Sequence, residues 1–448
     1  MADITIVGLG PGPSELRTIE VQQVLDSASM IFLRRHEEVD LAGLLSQPNV
    51  IDIATFRDPE APSGSRWKAS AQAVVDAAED GPVVLAVPGH PRLGEMLTVE
   101  TIRMANERGL NVEVLSGLSM IDLLCTALDL DPVRQRVQLM DGRDMSLIQD
   151  GAPFSGGQSG ANPRLPMLIT HVYSNEIMRG LGAQLQRVLP PTHNLTLISH
   201  AGLANESREE ITLTELGGHE GGSLLAIYVP SMTDLEATRT PLTLQSIVAR
   251  LRREDGCPWD RKQSNQSLAA SLVDEVYEAV DAINASDDAN LAEELGDLLL
   301  LIMMHAQIAE ERGAFTLEDV YHGIVTKIVR RHPHVFGDDT AGTAEDVLDR
   351  WQQIKQSEKA EQPTKLEKAA DGQPHSMPAL ERATRVLATH PIDVSPSKPD
   401  DRQKALLDAV AAVVAAGDDP NLVLTQALEQ YVTGTVSAGN SGEKNASR

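Results

Sequence analysis

The chain has 448 residues, enough for two to four domains of about 100–200 residues each. Its 38 Lys and Arg against 65 Asp and Glu leave a net charge of −27, which repels polynucleotide backbones and anionic membrane surfaces. Two cysteines, Cys125 and Cys257, exclude a disulfide scaffold and any all-cysteine zinc or iron–sulfur site. Hydrophobic residues make up 42% of the chain, enough for ordinary cores. No apolar run reaches the roughly 18 residues of a membrane span. The start, MADITIVGLGPG, has neither the basic residues nor the apolar run of a signal peptide. The expectation is a soluble, reduced, cytoplasmic multidomain protein that binds neither polynucleotide nor membrane.

Residues 1–235 read as one α/β domain. Ile4–Val7 is a short apolar strand running into Gly8-Leu9-Gly10-Pro11-Gly12, with a helical pattern from Ile19 to Leu25. Pro82–Val87 is a second buried strand, closed by Pro88-Gly89-His90-Pro91. Val112–Leu115 is a third, followed by Ser116-Gly117 and a helix through Leu124. Strands alternating with helices predict a mostly parallel sheet. The Gly-, Ser- and Pro-rich stretch 141–166 reads as a mobile connection between two lobes. Strand-like runs resume at Met167–Val172, Asn194–Ser199 and Ser223–Val229, and the Pro230–Pro241 stretch holds the linker, at 236–241.

Beyond Leu242 the strand signal disappears. Helical patterns cover about 242–254, 266–284, 288–312, 316–331 and 344–359, an all-α bundle over 242–360. A short helical segment follows at 375–432, and the Gly-, Ser- and Asn-rich residues 433–448 read as a disordered tail.

The acids of this bundle are unevenly placed. Between Lys262 and Arg312 there are eleven Asp or Glu and no Lys or Arg. In the 266–284 helix, Leu268, Leu272, Val276, Ala279, Val280 and Ile283 form one apolar arc, with Glu275 at its border and Glu278 one turn on. The next helix is apolar nearly all round from Leu295 to Ile308, which predicts burial. Glu294 and Asp297 share a face with its leucines, and ionised carboxylates entering a core need a partner. Acids spaced i and i+3 point the same way. Two such pairs on facing helices build an all-oxygen site suited to Mg²⁺ or Mn²⁺. For Glu275 and Glu278, a solvated helix face is the competing reading. Downstream, Lys327 and Arg331 lie at i and i+4, and Lys355 follows Trp351 at i+4. Cations beside metal-binding carboxylates suit a polyphosphate substrate. A solvated cationic face and a core tryptophan are the plainer alternatives.

Taken in order, these pieces resemble the MazG nucleotide pyrophosphohydrolase family over residues 242–359. They are Leu251-Arg252, Gly256-Cys257-Pro258-Trp259-Asp260, Asp274-Glu275-x-x-Glu278, Glu293-Glu294-Leu295-Gly296-Asp297, Lys327 through Phe336, and Trp351-x-x-x-Lys355. The resemblance implies hydrolysis of nucleoside triphosphates to monophosphate and pyrophosphate, by metal-assisted attack of water on phosphorus. It implies that Glu275, Glu278, Glu294 and Asp297 ligate Mg²⁺ (or Mn²⁺). Lys327, Arg331 and Lys355 take catalytic supporting roles, and Trp259, Asp260 and Trp351 contact substrate. The family usually carries Glu where this chain has Asp274. If that position orients the nucleophilic water, activity falls; if it is peripheral, nothing changes. Relatives in this family dimerise, so a homodimer or higher homo-oligomer is expected.

Residues 1–235 resemble the tetrapyrrole methylases. The motifs are Gly8-Leu9-Gly10-Pro11-Gly12, Ala86-Val87-Pro88-Gly89-His90-Pro91 and Leu115-Ser116-Gly117-Leu118-Ser119. This resemblance implies S-adenosylmethionine as cofactor, held around Gly8, Gly10, Gly12, Pro88, Gly89, His90, Ser116 and Gly117. Methylases of the family usually carry Gly-Asp-Pro where this chain has Gly89-His90-Pro91. Two readings of the domain follow, an active methyltransferase with the MazG module ancillary, or a retained scaffold. Residues 376–431 echo a second MazG unit that has lost its ligand acids, with Arg402 and Ala405 at their places. An unrelated helical tail is the alternative.

Overall fold

The computed structural model describes residues 2–35, 41–56, 67–147, 160–337, 339, 342–361, 377–378, 380–381, 401–418, 420, 423–424 and 427. The chain forms two compact units, Met1–Val320 and Tyr321–Arg448.

In the first unit the opening strand β1 (Ile4–Gly8) leads to α1 (Ile19–Ser27), whose first turn is closed by Thr18 Oγ1 accepting the Val21 N–H. Then come β2 (Ile31–Leu33), the short α2 (Ala42–Leu45), β3 (Val50–Asp52), α3 (Lys68–Asp80), β4 (Val83–Val87), α4 (Met96–Glu107), β5 (Val112–Leu115) and α5 (Met120–Ala127). The five strands make an all-parallel sheet in the order β3-β2-β4-β1-β5. Both faces are covered, as parallel sheets require. Ile4, Ile6, Leu85 and Val87 pack on α3 and α4, while Val7, Ile31, Leu33 and Ala86 pack on α1. The continuous apolar runs of β1 and β4 follow from that two-sided burial.

The strand-like runs expected at Met167–Val172, Asn194–Ser199 and Ser223–Val229 belong to a second sheet. It comprises β6 (Gln138–Asp141), β7 (Met167–Thr170), β8 (Asn194–Ser199), β9 (Ser207–Thr212) and β10 (Leu225–Val229), with α6 (Gly142–Leu147) and α7 (Asn175–Leu185) between them. Its order is β6-β7-β10-β8-β9, and only β6 and β7 run parallel. The expected mostly parallel sheet therefore holds for one half of the domain and not the other. The strands β2, β3, β6 and β9 escaped sequence reading. The first three have only three or four residues each, and β9 is a charged edge, Ser207-Arg-Glu-Glu-Ile-Thr212. The expected loop at 141–166 opens with α6, and residues 148–159 lie outside the described residues.

The Pro230–Pro241 stretch, which holds the expected linker at 236–241, is packed at two positions. Met232 and Ala237 are buried in the second sheet's core, and Arg239 donates to the Gln186 carbonyl. Arg164 donates to Asp234 at 2.6 Å and to Ser246 Oγ at 3.0 Å, tying this lobe to the next helix. That helix is α8 (Pro241–Arg252), followed by α9 (Pro258–Lys262), α10 (Ala269–Ala285) and α11 (Asp288–Glu311). Val248, Leu268, Leu301, Met303, Met304, Ile308 and Leu317 form their core.

Helix α12 (Leu317–Arg331) crosses from the first unit into the second, which also holds α13 (Pro333–Phe336), α14 (Ala344–Glu361) and α15 (Asp401–Ala415). On α15 Leu406 and Leu407 are exposed and Val410 is buried. The rest of the 375–432 segment, apart from a few isolated positions, and the whole of the 433–448 tail lie outside the described residues. Among the described residues, no helix is long and apolar enough to cross a membrane.

Candidate active site

The carboxylates meet because α10 and α11 form a tight antiparallel hairpin. Ser286, in the left-handed region at φ 55°, ends α10, and Asp287 caps α11 by accepting the Asn290 N–H at 3.1 Å. With the reversal at 286–287, a rise of about 1.5 Å per residue brings Glu278 level with Glu294, and Glu275 level with Asp297. Carboxylate oxygens of Glu275, Glu278 and Glu294 lie within 4.8 Å of one another. Glu294 is 8% exposed, Glu275 and Asp297 are half-buried, and Glu278 and Asp274 are exposed. Asp297 stands outside the trio, although its charge acts on Glu275 and Glu294.

Desolvation, then repulsion from the neighbouring acids, pushes the carboxyls of Glu275 and Glu294 above the usual range. Among the described residues, no Lys or Arg forms an ion pair with Glu275, Glu278 or Glu294. Three hard oxygen donors with unbalanced charge, held on a rigid hairpin, fit a divalent cation such as Mg²⁺ or Mn²⁺.

The apolar surroundings differ from expectation. Leu301, Met303, Met304 and Ile308 are buried, but Leu295, Leu299 and Ile302 of α11 are exposed, as are Val276, Val280 and Ile283 of α10. The all-round apolar pattern of α11 thus reflects a core face and a second face that is exposed among the described residues. The proposed burial of the apolar arc on α10 holds only for Leu268 and Ala279 fully, with Leu272 packed against the core.

At the other end of α11, Arg252 joins three segments. Its side chain, 6% exposed, donates from Nε and Nη2 to Glu311 at 2.8 and 2.7 Å, and from Nη1 to the Asp260 and Gln263 carbonyls. The loop bearing Trp259 and Asp260 is thereby fastened to α8 and α11. Gly256 is required in that loop, since a Cβ there would sit 2.2 Å from the Leu251 carbonyl oxygen. Trp259 is 63% exposed and Asp260 half-buried, an arrangement open to a flat ligand.

The remaining residues expected at the site belong to the second unit. Lys327 is exposed. Arg331 donates to both oxygens of Glu358 and lies over the Trp351 ring, 5.3 Å from its centroid. Glu358 was not singled out from the sequence, because its partners lie 27 residues away on another helix. The hydrogen bond from Arg331, above all, pulls the Glu358 carboxyl down to about 2. Lys355 lies on α14, with its side chain outside the described residues.

In the N-terminal domain the glycines converge at the carboxyl ends of β1, β4 and β5. A Cβ on Gly8 would stand 2.5 Å from the Gly89 carbonyl oxygen and 2.7 Å from the Gly117 nitrogen, so these backbones touch. Gly10 and Gly89 exchange hydrogen bonds of 3.3 and 2.8 Å, with φ of 79° and 65°. The N–H groups of Gly10 and Gly89 are therefore each spent on the other's carbonyl. Gly12 abuts Leu203, His90 Nδ1 accepts the Arg92 N–H at 3.1 Å, Pro88 is half-buried and Ser116 exposed. Space beside Gly89 is open, since a Cβ there would meet nothing within 4 Å. The carboxyl ends of a parallel sheet are where such folds take ligands.

Sequence reading missed a polar cluster where the two sheets approach. Arg34 pairs with buried Glu95 at 3.2 Å. Asp141 at the end of β6 receives Arg143 and lies 3.2 Å from His171 Nδ1. His171 follows β7 at φ 59°, and its ring fills the space that Gly94 leaves. Burial acts to raise the Asp141 carboxyl, but the hydrogen bonds from His171 and Arg143 prevail and hold it well below the usual range.

Two family models match the chain: tetrapyrrole (corrin/porphyrin) methylases over residues 3–217, and the MazG nucleotide pyrophosphohydrolase domain over residues 263–336. YabN of Bacillus subtilis, an uncharacterized protein, is 32% identical over 393 residues, covering 86% of this chain and 76% of its own. The nucleoside triphosphate pyrophosphohydrolase MazG of Thermotoga maritima is 45% identical over 143 residues, which cover 32% of this chain and 53% of that protein. The chain thus spans about half the length of that relative. Uroporphyrin III C-methyltransferase from Thermus thermophilus superimposes with a TM-score of 0.38 at 18% identity, covering 50% of this chain and 91% of that one.

Proposed function

The chain belongs to the family of tetrapyrrole methylase–MazG fusions that includes Bacillus subtilis YabN, and on that footing we propose that its helical module hydrolyses nucleoside triphosphates to monophosphate and pyrophosphate. The observation carrying this reading is the meeting of Glu275, Glu278 and Glu294 with no cation paired to them among the described residues. Bound Mg²⁺ or Mn²⁺ would neutralise triphosphate oxygens and acidify the attacking water. The three glutamates hold the cation, and Asp297, level with Glu275, adds charge beside it. Asp274 is exposed and stands at the margin of the trio. The loop held by Arg252 offers Trp259 as a stacking surface for the base and Asp260 as a polar contact. Lys327, exposed on α12, keeps the supporting role that its motif suggests. Net charge argues for a short nucleotide arriving with its cation, and against a polynucleotide or a membrane. The composition and two free cysteines suit the cytoplasm.

The apolar residues exposed on α10 and α11 among the described residues support assembly as a homodimer, since exposed apolar surface of this kind favours association. The test of the reaction is incubation with a panel of nucleoside triphosphates and Mg²⁺, with products resolved. Nucleoside monophosphate and pyrophosphate are expected, with Glu294→Ala inactive. Release of nucleoside diphosphate and orthophosphate, or full activity of Glu294→Ala, overturns the reading.

The open space beside Gly89 favours a second reading for the N-terminal domain, binding of S-adenosylmethionine with methyl transfer. Isothermal titration tests it: absence of binding at millimolar cofactor leaves the domain a scaffold.

A further inference from the structure

The segment that leads from α9 into α10 is cross-linked along its length. Gln263 Nε2 donates to the Trp259 carbonyl at 3.2 Å, and Ser267 Oγ donates to Gln263 Oε1 at 2.7 Å. The Ser264 N–H donates to Ser267 Oγ at 2.9 Å, and the Ser267 N–H donates to Ser264 Oγ at 3.1 Å. Asn265 lies inside this frame, half-buried, with its Oδ1 3.1 Å from His305 Nδ1 on α11. His305 stands eleven residues after Glu294, three turns along the same stripe, and eight after Asp297, about 12 Å along the helix.

The imidazole decides which way the Asn265 amide faces. Burial lowers the His305 pKa from its ordinary value, which keeps the ring neutral with a single proton. His305 Nε2 is buried and meets no hydrogen-bond partner among the described residues. A proton there would be an orphaned buried donor, which proteins avoid more strictly than an unfilled acceptor. The proton therefore belongs on Nδ1, which donates to Asn265 Oδ1. With its oxygen so engaged, Asn265 keeps two N–H donors on Nδ2, and these have no acceptor among the described residues.

We propose that Asn265 reads the edge of the substrate base, with His305 as the positioning residue that fixes its amide, so that the hydrolase favours nucleoside triphosphates whose base carries an exocyclic oxygen over those carrying an exocyclic amino group. The proposal rests on the pyrophosphohydrolase reading and names its substrate class. A triphosphate held at the carboxylates extends its nucleoside along the hairpin, where Trp259 stacks on the base. A side chain that offers only donors there pairs with a carbonyl oxygen and leaves an amino group unpaired.

The experiment uses the full chain with Mg²⁺ and two matched pairs of probes, ITP against ATP and UTP against CTP. Each pair exchanges an exocyclic oxygen for an amino group. The variants are Asn265→Ala, Asn265→Asp and His305→Phe, each checked for folding by circular dichroism. The readout is the ratio of kcat/KM within a pair, which a general loss of activity does not move. The wild type should favour ITP and UTP about tenfold. Asn265→Ala and His305→Phe should bring both ratios towards one. Asn265→Asp replaces the donors by an acceptor and should invert them. If His305→Phe unfolds, the exposed edge of Asn265→Asp still carries the test. Isothermal titration with IMP and AMP, without metal, should show the same order of affinity. Wild-type ratios within about twofold of one, or ratios unchanged in Asn265→Asp, overturn the proposal while pyrophosphate release stands. Failure of the unaltered chain to release pyrophosphate from any of the four refutes the reaction, and the proposal with it.

Discussion

Replacing Arg252 by Ala removes the fastening between α8, the Trp259 loop and the end of α11. Four hydrogen bonds go with it, two to Glu311 and two to backbone carbonyls. Breaking a fully buried ion pair costs about 3–5 kcal/mol, because the surviving charge is stranded. Here the Glu311 carboxylate is 36% exposed and regains water, so its share is smaller. The carbonyls of Asp260 and Gln263 each lose a charged donor, a net loss of about 1 kcal/mol apiece. The sum is about 2–4 kcal/mol, confined to the loop. Hydrogen exchange by mass spectrometry reads it directly. The Cys257 N–H, bonded to the Leu251 carbonyl at 2.7 Å, and the Gln263 N–H, bonded to the Asp260 carbonyl, should exchange about 30- to 700-fold faster. Amides of β1 and β4 should be unchanged. Arg252→Lys keeps the charge but not the fork, and should fall between. Exchange in the loop within threefold of wild type would refute the assignment of Arg252 as its anchor.

Gly8→Ala drives a Cβ against the Gly89 and Gly117 backbones and should destabilise the N-terminal domain by about 1–3 kcal/mol, seen in urea unfolding; a neutral result refutes the close crossing. The carboxyls of Glu275 and Glu294 are raised in the folded protein, so they hold protons more tightly there than when unfolded. Stability without metal therefore falls as pH rises through their titration. The rise in Tm on adding Mg²⁺ should be larger at pH 8 than at pH 5 and absent in Glu294→Gln; a pH-independent gain contradicts the shared site. Glu358 is shifted the other way. Its contribution is complete above the ordinary carboxylate range and is lost as pH falls towards about 2, so the Tm gap between wild type and Glu358→Gln should close over that interval. A gap that persists at pH 2 rules out the ion pair as its source. Leu299→Glu places a charge on the uncovered face of α11 and should give a monomer in sedimentation velocity where the wild type is dimeric; an unchanged sedimentation coefficient removes that face from the interface.

The parallel half of the first domain was legible because its strands are buried on both faces. Ile4–Val7 and Val83–Val87 are apolar without alternation, and each runs into a glycine turn. The second sheet was only half legible. β7, β8 and β10 have apolar runs, but β6 and β9 sit at its edges, where pairing is set by neighbours rather than by their own pattern. β9 presents Arg208, Glu209 and Glu210 in succession and carries no strand signature that composition alone reveals. The packing of the 230–241 stretch was hidden for a related reason. Met232 and Ala237 are two buried residues in a short run whose Leu235 is exposed, and the surface that buries them is the core of the second sheet.

The carboxylate site shows where a one-dimensional pattern suffices and where it stops. Glu275, Glu278 and Glu294 were found because helical spacing and a short hairpin fix their meeting within one continuous stretch of chain. The apolar character of α11 was found too, but periodicity cannot distinguish a buried face from an exposed apolar one. Arg252 and Arg331 were visible as motif residues, yet their chemistry depends on Glu311 and Glu358, 59 and 27 residues distant. A sequence places a cation on a helix; only the fold decides whether its charge is already spent. That distinction separates Lys327, exposed on α12, from Arg331, whose guanidinium is held by Glu358 and lies over Trp351.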